Sequence, residues 1–174
     1  MYMETDFSSR EKNTGWVKNG KKEKIKAYVL SLLISLAAGT LSAVFSGGMK
    51  NAGNLVEPPL TPPSWVFPAV WTVLYVLMGI SAARVYLKKT EDTKRALTCY
   101  GVQLIVNIIW PVLYFMLEMH LAAFIWILVL LALIAVMMIR FKAVDRPAAY
   151  LQLPYFIWTA FAAYLNLGIY LLNG

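Results

Sequence analysis

The run MHLAAFIWILVLLALIAVMMI, residues 119–139, holds 21 residues and no charge. As a helix rising 1.5 Å per residue it is about 32 Å long, close to the hydrocarbon thickness of a bilayer. Four more windows lack Asp, Glu, Lys and Arg: residues 27–49, 58–83, 96–117 and 147–174. Each of the five exceeds the ~18–20 residues that span a bilayer as a helix, and together they hold 120 of the 174 residues. Composition agrees, with 60% hydrophobic and 14% charged residues, where a soluble domain carries roughly 25% charged. The fold class is an all-α integral membrane protein, a bundle of five transmembrane helices. A soluble catalytic domain is excluded, because the longest stretch outside the windows is the 26-residue N-terminal segment.

The chain has one cysteine, Cys99, and one histidine, His120, so neither an intrachain disulfide nor a His/Cys metal cluster is expected. No carboxylate lies inside a window, which removes the acidic relay common in proton-coupled pumps. The net charge of +7 does not point to nucleic acid, because the basic residues sit at helix ends.

Those basic residues set the threading. The segment before the first window holds seven Lys and Arg, the second loop five and the fourth loop three, whereas the first loop holds only Lys50 and the third none. Fifteen on one side against one on the other puts the N-terminus in the cytoplasm and the C-terminus outside a multi-pass cell membrane protein. Residues 1–25 read as a polar, basic, disordered tail, not a cleaved signal peptide, with membrane lipid as its neighbour. The helices are expected at about 27–46, 64–87, 96–117, 119–140 and 147–172.

In the first helix, Ser31, Ser35, Gly39, Ser42 and Ser46 share one face, a surface on which helix backbones approach closely. Loop 47–63 carries Pro58-Pro59 and Pro62-Pro63; paired prolines make it stiff and extended, either a lid over a cavity or a plain connector. On the second helix Trp71 and Tyr75 share a face. On the third, Gln103, Asn107, Trp110 and Tyr114 form a stripe of hydrogen-bonding side chains at membrane depth. Such a stripe faces protein or a cavity, as helix–helix glue or as a site. Pro111 within that helix predicts a kink. The fourth helix, with Trp126, reads as mostly lipid-facing. The fifth carries a second stripe, Tyr155, Trp158, Ala162 and Asn166.

Three stretches hold a recognisable pattern: LTPPSWVFPAVWTVLY at 60–75, NIIWPVLYF at 107–115 and PYFIWTAFAAYLN at 154–166. In these the chain resembles the translocator protein family, also called TspO/MBR or tryptophan-rich sensory proteins and formerly peripheral benzodiazepine receptors, over roughly residues 27–173. The resemblance implies a five-helix bundle, often a homodimer. It also implies a pocket beneath the first loop for flat hydrophobic ligands: porphyrins and other tetrapyrroles, steroids and isoquinoline carboxamides. Carried over by motif, the ligand-binding residues are Trp71, Tyr75, Asn107, Trp110, Trp158 and Ala162. Trp71 and Trp158 match tryptophans implicated in light-dependent protoporphyrin degradation, the one catalytic role the resemblance offers. Many members have Trp where this chain has Leu60, and the fifth helix ends without the Arg of the animal cholesterol motif.

The leading reading is therefore a membrane receptor for porphyrins that needs no cofactor and no metal. Light-dependent porphyrin oxidation is the second. A small transporter of hydrophobic compounds is the third, weakened by the absence of intramembrane charge and of an internal repeat. The threading is testable in intact cells. In a Cys99→Ser background, a cysteine replacing Lys50 is expected to react with a membrane-impermeant thiol reagent and one replacing Lys89 is not; the reverse pattern overturns the orientation.

Overall fold

The structure is a computed structural model that describes residues 4–47 and 55–173, with side chains from residue 20 onward. The helices are α1 (Glu4–Phe45), α2 (Val66–Lys88), α3 (Glu91–Pro111), α4 (His120–Val144), α5 (Arg146–Tyr150) and α6 (Leu153–Asn173). Five spans among the described residues are long and apolar enough to cross a membrane: Gly20–Phe45, Val66–Lys88, Glu91–Met116, His120–Val144 and Arg146–Asn173. At most 39% of the apolar window of any span is buried within the bundle. Leu33, Ile105 and Ile139 are among the large apolar side chains that face outward. In water that surface would drive aggregation; in lipid it is solvated.

α1 begins at Glu4 and not near residue 27. The polar segment expected to be unstructured through residue 25 contains no proline and several Lys, Glu and Arg. Such residues extend a helix that the apolar span has already nucleated. Lys50, the lone basic residue of the first loop, lies outside the described residues.

α1 packs on α2 and α3, α3 on α4, α4 on α5 and α6, and α2 on α5, which closes a ring. The small-residue face of α1 forms its contact with α2. Ser35, Ala38 and Ser42 are buried, and a Cβ on Gly79 of α2 would lie 2.9 Å from the Leu32 Cα. Ser35 Oγ donates to the Ser31 carbonyl, so the Tyr100 hydroxyl, 2.6 Å away, donates to Ser35 and ties α3 to α1.

α4 is mostly outward-facing, with 28% of its apolar window buried, but one face and Trp126 turn inward. Ala123, Ile127, Leu130, Ile134, Met137 and Phe141 are buried at steps of 4, 3, 4, 3 and 4, one seam against α3 and α6. Trp126, expected to face lipid, is half-buried, and its Nε1 donates to the Val106 carbonyl at 2.8 Å. An indole N–H in hydrocarbon is costly without a partner, and α3 supplies one. The seam was hidden because every face of this helix is apolar.

The prolines act at helix starts and at one register change. The fifth span breaks at Leu151–Gln152, because Pro147 and Pro154 each stand in a first turn, where the missing N–H costs nothing. The kink expected at Pro111 is a widened turn after it, a π-helical stretch over Val112–Met116 in which Leu117 N–H donates to the Val112 carbonyl. At this basic end Arg84 Nε donates to Asp145 Oδ2 at 2.8 Å, and Ser81 Oγ to the Ala148 carbonyl at 2.7 Å. These two bonds clamp α2 to the α4–α5 turn.

The close approach of α1 and α2 gives a paired prediction. Gly79→Ala forces a methyl against backbone and is expected to lower thermal stability in detergent by about 1–3 kcal/mol, the range for overpacking. Gly101→Ala on α3 meets nothing within 4 Å and is expected to raise it by about 0.5–1 kcal/mol through helix propensity.

Candidate functional site

α3 and α6 run toward the end of the bundle that carries the first loop; α2 runs away from it. α2 and α3 pack on each other, whereas α6 makes its close backbone packing with α4 and meets α2 and α3 through side chains. The Tyr75 hydroxyl donates to Asn107 Oδ1. Asn107 Nδ2 donates to the Tyr155 hydroxyl at 2.8 Å, and that hydroxyl donates to Gln103 Oε1 at 2.9 Å. Ser42 Oγ of α1 lies 3.2 Å from the Tyr75 oxygen. A tyrosine has a single proton, and Asn107 takes it, so Ser42 meets a lone pair. All four network residues are buried, none more than 4% exposed. Gln103 and Asn107 are thus helix–helix glue, one of the two roles the stripe left open.

On the loop side of this network the lining turns aromatic. Trp71 packs on Tyr75 with ring centroids 5.8 Å apart and meets Tyr155 edge-on at 6.1 Å. Trp158 meets Phe67 edge-on at 5.9 Å and Phe161 at 5.5 Å. Ala162 is buried one turn further along α6. The structure therefore joins Trp71, Tyr75 and Asn107 directly, and brings Trp158 to α2 through Phe67. Trp110 belongs to a separate aromatic group: it stacks on Tyr114 at 5.2 Å and meets Phe115 at 6.0 Å in the widened turn. Phe67 was missed by the sequence reading, although its place four residues before Trp71 puts it on the same face.

The described part of the first loop packs on α6. Pro58 is buried, and a Cβ on Gly168 of α6 would lie 2.5 Å from the Pro58 Cβ. Tyr164 donates to the Pro59 carbonyl at 2.9 Å. The Asn173 amide pairs with both backbone groups of Val56, at 2.8 and 3.0 Å. Through these contacts the described part of the segment rests on α6. Leu60 is 80% exposed at φ 69°, so it adds nothing to the interior where many family members place a Trp.

Buried polar atoms without a partner occur on both sides of the network. At the network most polar atoms are paired. Beyond it, Trp110 Nε1, Trp158 Nε1 and both side-chain polar atoms of Asn166 are buried without a partner among the described residues. Gln103 Nε2 and the Gln152 amide are also unpartnered. Among the described residues this lining offers aromatic faces and neutral polar groups.

The family model described as "TspO/MBR family" matches residues 30–172. The chain is 33% identical over 157 residues to "Tryptophan-rich protein TspO" of Chlorobaculum tepidum, covering 87% of this chain and 98% of that one. It is 37% identical over 139 residues to "Protein CrtK" of Rhodobacter capsulatus, covering 78% and 86%. With the sheep "Translocator protein" it shares 34% over 122 residues, covering 68% and 72%. Five apolar spans, the tryptophan-bearing interior of α2, α3 and α6, and a match over nearly the whole bundle make this chain a member of the TspO/MBR family of membrane proteins.

Proposed function

We propose that the protein binds flat hydrophobic molecules, porphyrins first among them, between α2, α3 and α6 beneath the first loop. The observation that carries this reading is the aromatic lining on the loop side of the network, where Trp71 packs on Tyr75 and Trp158 on Phe67. The hydroxyl–amide network forms a closed base, and the indole N–H groups of Trp110 and Trp158 beyond it have no partner among the described residues. A porphyrin presents a broad apolar disc to Trp71 and Trp158 and nitrogen or oxygen acceptors to indole donors. Each aromatic contact adds about 0.5–1.5 kcal/mol beyond area burial. His120, whose Nδ1 is buried without a partner among the described residues, packs on Tyr114 at 5.1 Å and not on Trp71 or Trp158, so metal-free porphyrin is expected to bind at least as well as haem.

Titrating purified protein with a porphyrin in darkness is expected to quench tryptophan fluorescence. Trp71→Phe and Trp158→Phe keep an aromatic ring, and each is expected to weaken binding by about 1 kcal/mol or less. Trp65 is 69% exposed, and Trp65→Phe is expected to leave affinity unchanged. Equal losses in all three variants would place the ligand elsewhere. Ala162→Phe, filling the space beside Trp158, is expected to abolish binding in a protein that still folds.

A further inference from the structure

The interior stripe of α6 continues past the aromatic residues to Asn166, which is 1% exposed. Eleven residues separate it from Tyr155, about three turns and near 20° of rotation, so the two side chains leave α6 on the same side. Tyr155 points at Gln103 and Asn107; Asn166 therefore faces the same interior about 16 Å closer to the loop. The loop crosses α6 beside it, with Pro58 against Gly168 and Tyr164 bonded to Pro59. Asn166 differs from Asn107 in one respect. Both side-chain polar atoms of Asn107 are bonded to neighbouring helices, whereas Oδ1 and Nδ2 of Asn166 have no partner among the described residues. An amide buried in that state does not glue helices and lowers stability.

A primary amide presents a donor and an acceptor side by side. A neutral carboxylic acid is the complement, giving an acceptor to Nδ2 and a proton to Oδ1. An ionised carboxylate would satisfy Nδ2 and repel Oδ1. Among the described residues at this end, 58–83 and 147–173 contain no Lys or Arg, and burial away from cations favours the neutral form. We infer that Asn166 is a specificity-determining residue that recognises a carboxylic-acid edge of the ligand through a two-bond amide–acid pair, while the ring lies against Trp71 and Trp158. The inference rests on the porphyrin-binding reading and adds to it the group that tells an acid-bearing tetrapyrrole from one without.

The test uses the full-length protein in darkness, with protoporphyrin IX and its dimethyl ester as ligands and tryptophan quenching as the readout. The wild type is expected to bind the acid about tenfold more tightly than the ester, the scale of a hydrogen-bonded pair in a dry site. Asn166→Leu is expected to lose that tenfold for the acid and to hold the ester within twofold. Its unliganded melting temperature is expected to equal or exceed the wild type's, because an unpaired amide is gone. Asn166→Ser serves as a second variant should the Leu variant fail to fold. Equal wild-type affinity for acid and ester overturns the inference and leaves the porphyrin reading standing. So does an equal loss for both ligands in the variants, or a drop in melting temperature that marks Asn166 as structural. If neither ligand binds the wild type, the porphyrin reading fails and the inference with it.

Discussion

The Asn107 amide, bonded on one side to Tyr75 and on the other to Tyr155, fixes where three spans stand relative to one another. In hydrocarbon the hydrophobic effect does not hold helices together, and pairing of polar groups adds to close packing. α1 and α2 use the other means, a small-residue contact in which Gly79 meets the backbone of α1. α6 has no such contact with α2 or α3. Large aromatic and amide side chains span that gap, and its width is set by the reach of Tyr155. An aromatic-lined interior follows from this spacing.

The two ends of the bundle are held differently. At the basic end, Arg84 pairs with Asp145, whose side chain is 4% exposed, and Ser81 holds the Ala148 carbonyl. A partly buried ion pair with several donors is costly to break. At the loop end the described part of the first loop rests on neutral hydrogen bonds from Tyr164 and Asn173, both in exposed surroundings. Water or lipid headgroups can replace such bonds at small cost, which makes this end the easier one to open.

Five spans were legible in the sequence because charge inside a bilayer is expensive, so uninterrupted apolar windows mark them. The inward faces of α3 and α6 were legible for the same reason, applied to Gln103, Asn107 and Asn166. The seam of α4 was not, since a helix apolar on every face shows no periodic contrast, and Trp126 was assigned to lipid when its N–H belongs to Val106. The sequence also could not divide the third-helix stripe between glue and site. That division depends on partners from other helices: Tyr75 and Tyr155 take up Asn107, while Trp110 turns to Tyr114 within its own helix. The prolines were legible as interruptions, but whether Pro111 bends the helix or widens its next turn is decided by packing around it.

A structure of the porphyrin-bound protein in a lipid nanodisc tests the account most directly. The ring is expected on the loop side of Asn107, in contact with Trp71 and Trp158, with the Tyr75–Asn107–Tyr155–Gln103 bonds intact beneath it. A ring seated in the outward groove lined by Leu77, Arg84, Tyr150 and Leu151, or one that displaces the network, would contradict it.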